Sequence, residues 1–273
     1  HPRMALRRIN GTEIWVEESG PPGGGAGTIV WSHGLLFCTD LFAPQIAALR
    51  ERYRCVAYDH RGQGKSARSA VRCVSMELLY QDAALLVESL GAGPVHFVGL
   101  SMGGFVGMRL AARRPDLVRS LVLLDTSADP EPPENLARYR AMSVAARVLG
   151  VAPLAPRLLR IFFAKSSLAD PARRGDVARW RELLLRNDRS VWRAVNGVLE
   201  RDAIAPELGR IRCPTLVGVG EEDVATVPAK AERLRELIAG AKLVRFPRAG
   251  HSSTLEAPAA VTAAIEAHLA EAR

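Results

Sequence analysis

The sequence predicts an α/β fold: a mostly parallel, eight-stranded sheet flanked by helices, with a helical cap inserted after the sixth strand. Three observations carry this. Short apolar runs alternate with helical patterns from Thr28 to Asp125, the rhythm of a parallel sheet covered on both faces. Val95-His96-Phe97-Val98 runs through Gly99-Leu100-Ser101-Met102-Gly103 into helical composition from Phe105 to Ala112, so one strand-to-helix turn is sharp enough to require glycine on both sides of a serine. The alternation then stops from about Asp129 to Arg212, where helical text punctuated by proline replaces it, and it resumes at Thr215.

Each element follows from local pattern. Residues 7–10 and 12–17 flank Asn10-Gly11, a pair that supplies the positive φ angles of a two-residue hairpin turn, and form the first two strands. The Gly/Pro-rich residues 20–27 are a loop. Residues 28–32 are a buried third strand that runs directly into His33-Gly34-Leu35-Leu36; residues 41–49 are a short helix expected to be capped by Asp40, and residues 54–58 the fourth strand. The segment from Asp59 to Ser66 ends in Gly-Lys-Ser like a phosphate-binding loop, but such a loop needs glycine where Asp59 stands. It reads instead as a structural turn in which Asp59 and Arg61 satisfy each other or nearby backbone. Residues 75–90 carry apolar side chains at helical spacing and close at Gly91, and residues 118–125 are the sixth strand. Helices are expected over 134–149, 156–163, 171–187 and 189–201, then strands at 215–220 and 242–246, a helix over 228–238 between them, and an Ala-rich closing helix over 258–270. The expected division is a core of residues 4–128 and 213–273 with a cap of residues 129–212.

Composition narrows the function classes. With 48% hydrophobic and 24% charged residues, the chain can bury a large core, which excludes disorder. No run nears the roughly 18 apolar residues of a bilayer span, and the N-terminus has no signal-peptide core, so no membrane partner and a cytoplasmic location are expected. Met4 reads as the natural start, with His1-Pro2-Arg3 left by an expression vector. The net charge of +8 raises nucleic-acid binding, but the arginines are spread along the chain and no basic block interleaves with aromatics, so no nucleic-acid partner is expected. Cys38, Cys55, Cys73 and Cys213 lack C-x-x-C spacing and a histidine pattern; they read as free buried thiols, with no metal site. A homo-oligomeric state stays open.

The chemistry centres on Ser101, an exposed hydroxyl at a helix N-terminus, where free N–H groups favour developing negative charge. A serine needs a base to become a nucleophile. Of six histidines, His96 sits inside a strand and His268 in a final helix read as exposed, while His251 follows the last strand at the sheet edge that Ser101 occupies. Asp223, three residues beyond the seventh strand, is the expected carboxylate orienting His251; Asp125 is the second candidate, and Glu221 and Glu222 are weaker ones. The oxyanion donors are expected to be the backbone N–H groups of Met102 and Leu35, with His33 pinning the loop and Gly34 letting the backbone approach the substrate. Leu36, Phe37 and Cys38 beyond that loop, and Met142, Phe162 and Trp180 in the cap, are expected to border a substrate pocket. Arg138, Arg140, Arg147, Arg157 and Arg160 are available to meet an anionic substrate.

The set His33-Gly34, Gly99-Leu100-Ser101-Met102-Gly103-Gly104, Gly220-x-x-Asp223 and Gly250-His251 resembles the α/β-hydrolase fold superfamily over nearly the whole chain. The elbow and the four-helix cap after the sixth strand are similar to 3-oxoadipate enol-lactonases, cofactor-free haloperoxidases and small carboxylesterases. The resemblance implies an esterase or lactonase with a Ser-Asp-His triad, acting on a small ester or lactone and requiring no cofactor. A serine at the elbow disfavours epoxide hydrolases and haloalkane dehalogenases, whose nucleophile is an aspartate. Perhydrolysis and carbon–carbon bond hydrolysis by the same triad remain alternatives, and a non-catalytic ligand-binding member is a third.

Overall fold

The eight strands join into one sheet in the computed structural model, which describes residues 3–23 and 25–272. His1 and Pro2, read above as vector-derived, lie outside the described residues, as does Gly24 of the loop after the hairpin. The strands are β1 (Arg3–Ile9), β2 (Thr12–Ser19), β3 (Thr28–Ser32), β4 (Arg54–Tyr58), β5 (Val95–Leu100), β6 (Val118–Leu124), β7 (Thr215–Gly220) and β8 (Lys242–Phe246). Their order is β1-β2-β4-β3-β5-β6-β7-β8, antiparallel at β1/β2 and β2/β4 and parallel from β4 to β8. The hairpin turns at Asn10 and Gly11, with φ of 46° and 74°. β1 starts at Arg3, earlier than its polarity suggests, because most of this edge strand is exposed and lacks the alternation of a half-buried one.

The other elements are α1 (Ala43–Leu49), α2 (Met76–Ser89), α3 (Met102–Arg113), α4 (Pro133–Leu149), α5 (Ala155–Phe162), α6 (Lys165–Ala169), α7 (Arg174–Leu185), α8 (Trp192–Leu199), α9 (Pro228–Leu237), α10 (Ser253–Glu256) and α11 (Pro258–Glu271). Alternate strand residues feed two cores. Val30, Phe97, Leu121 and Val217 pack with α2, α3 and α9 on one face. Trp31, Val98, Val122 and Leu216 pack with α1 and α11 on the other, in a cluster that continues into Met142, Leu158, Phe162 and Trp180 of the inserted helices. The parallel pairing of β3, β5, β6, β7 and β8 places their C-terminal ends side by side, beneath α4–α8. No helix among the described residues is long and apolar enough to cross a membrane.

Several local expectations need correction. Asp40 does not cap α1: it lies within a 3-10 turn and its carboxylate pairs with Arg186, while the α-helix starts at Ala43-Pro44, where proline has no N–H to leave unsatisfied. Asp59 and Arg61 do not pair with each other; the backbone alternative holds, with Asp59 accepting the N–H groups of Thr39 and Lys65 and Arg61 donating to the Asn10 carbonyl, while the Arg61 guanidinium pairs with Asp82. His268 is buried, because it lies on the same side of α11 as Ile265, which packs in the core. The cysteines are free, but only Cys55 is fully buried. The inserted helices include the five-residue α6, too short for a periodic signal. The last two open with 3-10 turns capped by Asp170 and Asp188.

Candidate active site

Ser101 joins β5 to α3 with φ 52° and ψ −112°, a conformation L-residues avoid. The glycines around it make the turn possible by allowing close approach. A Cβ at Gly99 would stand 2.3 Å from the Gly103 carbonyl oxygen, and one at Gly103 would stand 1.9 Å from that of Ser32. The elbow is thereby wedged against the end of β3 and pinned by the Ser101 N–H to the Leu124 carbonyl and by Thr126 Oγ1 to the Ser101 carbonyl. Ser101 is not an open surface hydroxyl: it is 8% exposed, lies at the floor of a cavity and is covered by the inserted helices.

His251 reaches Ser101 from the loop after β8. Its Nε2 lies 2.8 Å from Ser101 Oγ and its Nδ1 2.8 Å from Asp223 Oδ2. A carboxylate partner assigns the proton to Nδ1, leaving Nε2 free to accept the serine proton. Asp223 is held in turn by the N–H groups of Ala225 and Thr226 and by Thr226 Oγ1, which also lies 3.2 Å from His251 Nδ1. Burial lowers the His251 pKa, but the charge and hydrogen bond of Asp223, together with the nearby Asp125 and Glu256 carboxyls, more than offset it and raise it above the ordinary histidine value. Phe162 stacks on the imidazole with ring centroids 5.7 Å apart.

The second acid candidate has another task. Asp125, at φ 46°, accepts the Gly220 N–H and the N–H and hydroxyl of Ser253, tying the end of β7 to α10. Burial, then the nearby Asp223 charge, push its carboxyl well above the usual carboxylate range. Glu222 binds the backbone and hydroxyl of Ser166, and Glu221 is exposed.

The loop after β3 crosses the elbow so closely that a Cβ at Gly34 would lie 3.4 Å from Ser101 Cβ. His33 is fixed at both ring nitrogens: Nδ1 donates to the Gly34 carbonyl, and Nε2 accepts the His60 N–H. Burial pulls its pKa down to about 4, so the ring is neutral near pH 7. Gln63 completes the brace. Its Oε1 accepts the Leu36 N–H, and its amide lies 3.7 Å from Met102 Sδ. The segment resembling a phosphate loop is therefore the support of the loop bearing Leu35. The backbone N–H groups of Leu35 and Met102 have no acceptor among the described residues.

Leu36, Met142 and Phe162 line a cavity of about 120 Å³ with Ser101 and His251. Phe37, Cys38 and Trp180 do not. Leu36 takes φ 68°, the chain reverses there, and Phe37 points into an aromatic cluster with Phe162 and Phe163. Cys38 borders a separate crevice with Asp59 and Arg186, and Trp180 is buried in a parallel stack on Phe163 at 4.3 Å. Arg138, Arg140, Arg147, Arg157 and Arg160 all face solvent. Sequence reasoning missed Thr226, Gln63, Phe105, Tyr139, Glu131 and Arg201. Thr226, three residues after Asp223, had a readable signal as a hydroxyl within one turn of the acid, and Phe105, four residues after Ser101, lies one helical turn beyond the elbow; the others approach the site from distant elements. It also missed Glu256, whose two carboxylate oxygens accept the N–H groups of Ala164 and Gly250 and so tie the His251 loop to the inserted helices.

The geometry can be set beside known proteins. The chain is 31% identical over 265 residues to "Putative carbamate hydrolase RutD" of Caulobacter sp. (strain K31), covering 92% of this chain and 94% of that protein. Its structure matches the enol-lactonase from Burkholderia xenovorans LB400 with a TM-score of 0.89 at 31% identity, over 97% of this chain and 100% of the other. It matches a thermophilic esterase from Thermogutta terrifontis with a TM-score of 0.90 at 27% identity, over 99% of each. The model of the alpha/beta hydrolase fold family matches residues 27–258, and the chain belongs to that family.

Proposed function

We propose that this protein is a serine hydrolase that cleaves a carboxylic ester or lactone through an acyl-enzyme on Ser101. The observation carrying this reading is the continuous relay from Asp223 Oδ2 through His251 to Ser101 Oγ, with both contacts at 2.8 Å, beneath a mainly apolar cavity. Ser101 Oγ attacks the carbonyl carbon while its proton passes to His251 Nε2, and Asp223 stabilises the imidazolium. The tetrahedral oxyanion is held by the N–H groups of Leu35 and Met102, the latter opening α3 where the helix dipole adds to the field. As the oxyanion collapses, the carbon–oxygen bond breaks and His251 gives its proton to the leaving alkoxide. Water, deprotonated by the same Nε2, then attacks the acyl carbon and releases the acid and the serine. A lactone stays attached as its hydroxy-acyl ester until that second step.

A carbamate offers the same carbonyl chemistry, and similarity to the RutD-named relative over most of the chain favours it as a second reading. There His251 would protonate a departing nitrogen or oxygen. A panel of p-nitrophenyl esters of increasing chain length, lactones and carbamates separates these substrates. The hydrolase reading itself is tested by a fluorophosphonate probe, which is expected to label Ser101 in the wild type and not in Ser101→Ala. That variant is expected to lose on the order of 10⁴- to 10⁶-fold in kcat without a change in thermal unfolding. An unlabelled wild type, or equal labelling of both proteins, overturns the reading.

A further inference from the structure

Away from Ser101, an ion pair forms part of the cavity wall. Glu131, in the loop between β6 and α4, and Arg201, just beyond α8, both line the cavity. Arg201 Nη1 donates to Glu131 Oε2 at 3.1 Å, and the two side chains are 5% and 10% exposed. The pair is held on all sides. Arg201 also donates to the carbonyls of Asp129 and Val198, its guanidinium lies 4.5 Å from the centre of the Phe105 ring, and Asn135 Nδ2 donates to Glu131 Oε1. Among the described residues, Arg201 is the one lysine or arginine lining the cavity and Glu131 the one aspartate or glutamate, so these charges cancel. Arg201 Nη2 has no acceptor among the described residues.

We infer that the Arg201–Glu131 pair makes this wall a polar but uncharged subsite, which admits acyl groups that are neutral, including those with a hydroxyl or carbonyl oxygen, and rejects acyl groups that carry a carboxylate. This substrate class rests on the hydrolase reading above. A carboxylate entering an apolar cavity gives up its hydration, and that loss is recovered only against a cation free to pair with it. Here the guanidinium is already neutralised, and the Glu131 carboxylate would stand beside the incoming one as a like charge. A neutral oxygen carries no such penalty and can accept from Nη2.

The test compares ethyl butyrate with ethyl hemisuccinate, whose acyl chains are of equal length and end in methyl and carboxylate and whose ethoxide leaving group is too poor to be displaced by the substrate's own carboxylate. Turnover is followed by acid release at a pH where the carboxylate is ionised. Wild type is expected to favour the butyrate by at least about 100-fold in kcat/KM. Glu131→Gln keeps an oxygen for Arg201 but removes the charge, and is expected to narrow that ratio by about tenfold or more through faster hemisuccinate turnover; Arg201→Met, which leaves an uncompensated anion, is expected to widen it. Because the ratio is the readout, a general folding defect, which lowers both rates together, does not imitate the result. A wild type that takes both esters equally, or a ratio unmoved by Glu131→Gln, overturns the subsite. Failure to hydrolyse either ester counts instead against turnover of simple esters. Calorimetry with butyramide and succinamate on the wild type then reads the same preference, and tighter binding of succinamate overturns the subsite by itself.

Discussion

The floor of the cavity places Ser101 at φ 52° between glycines that have no room for a Cβ, and holds His251 by directional bonds to Ser101 and Asp223. The roof, from α4 to α8, contributes mostly surface: Met142, Leu158 and Phe162 face the cavity without a fixed polar geometry. The two are specified differently. At the floor, a residue is acceptable only if backbone clearance or a hydrogen bond of defined direction permits it, and few residue types qualify. At the roof, an apolar side chain of suitable volume suffices, so substitution is tolerated and alters selectivity. Changes at the floor should therefore abolish or slow the chemistry, whereas changes at the roof should redistribute it among substrates.

The largest effect that tests this division is at the two buried aspartates. Asp223→Asn is expected to lower kcat on the order of 10³- to 10⁴-fold, because the amide can no longer hold the His251 tautomer or stabilise its cation. The sign of the pH dependence follows from His251. In the proposed mechanism the ring must be neutral to accept the serine proton, and its pKa is raised above the ordinary 6.5, so wild-type kcat/KM should fall as pH drops through a midpoint above that value. Removing the Asp223 charge leaves the burial that lowers the pKa, so the residual activity of Asp223→Asn should show its acid limb at lower pH. Asp125→Asn changes a group that braces Gly220 and Ser253 and makes no hydrogen bond to His251, so it is expected to keep activity within about tenfold and to lower the midpoint less than Asp223→Asn does. A larger loss at Asp125 than at Asp223 would exchange their roles.

The same contrast explains what could be read from the sequence. The strand order's raw material, the elbow and the strand-end positions of Asp223 and His251 were legible, because a sharp turn or a buried strand restricts residue type at fixed spacing. Gly99 and Gly103 are where they are for steric reasons that the sequence displays directly. The inserted helices follow no such rule. On α4, Met142 and Ala146 are buried while Val144, Val148 and Leu149 are exposed, so apolar character does not reveal which side faces in. Phe37 was misplaced for a related reason: the positive φ at Leu36 reverses the chain, and no glycine marks the reversal. Glu131 and Arg201 are 70 residues apart and acquire meaning only when β6 and α8 bring them together.

At the roof, two aromatic residues separate packing from selectivity. Phe162 lines the cavity and stacks on His251, while Trp180 is buried against Phe163 and does not reach the cavity. Phe162→Ala is expected to change the ratio of long-chain to short-chain p-nitrophenyl ester turnover by about tenfold, since added room accommodates extra methylenes. Trp180→Ala is expected to lower stability by about 3–5 kcal/mol in denaturant unfolding, with that ratio nearly unchanged. If Trp180→Ala altered chain-length selectivity as strongly as Phe162→Ala, the roof would be one deformable unit rather than a lining backed by a separate packing layer.

The smallest expected effect lies on the outer surface of the same helices. Arg140, Arg157 and Arg160 are exposed on α4 and α5, and none of them lines the cavity. Replacing all three by glutamine removes three positive charges from the cap without disturbing a buried group, and surface changes of this kind usually alter stability by no more than about 0.5 kcal/mol each. Their charge reaches the cavity only through solvent, where ions screen it over roughly 10 Å at ordinary salt. The triple variant should therefore keep the wild-type ratio of butyrate to hemisuccinate turnover within about twofold at that ionic strength, while the rate for the anionic ester falls slightly at low salt as steering weakens. A widening of the ratio that persists at high salt would mean that these arginines turn inward when substrate is bound. It would move anion selection from the Arg201–Glu131 wall to the helices above it.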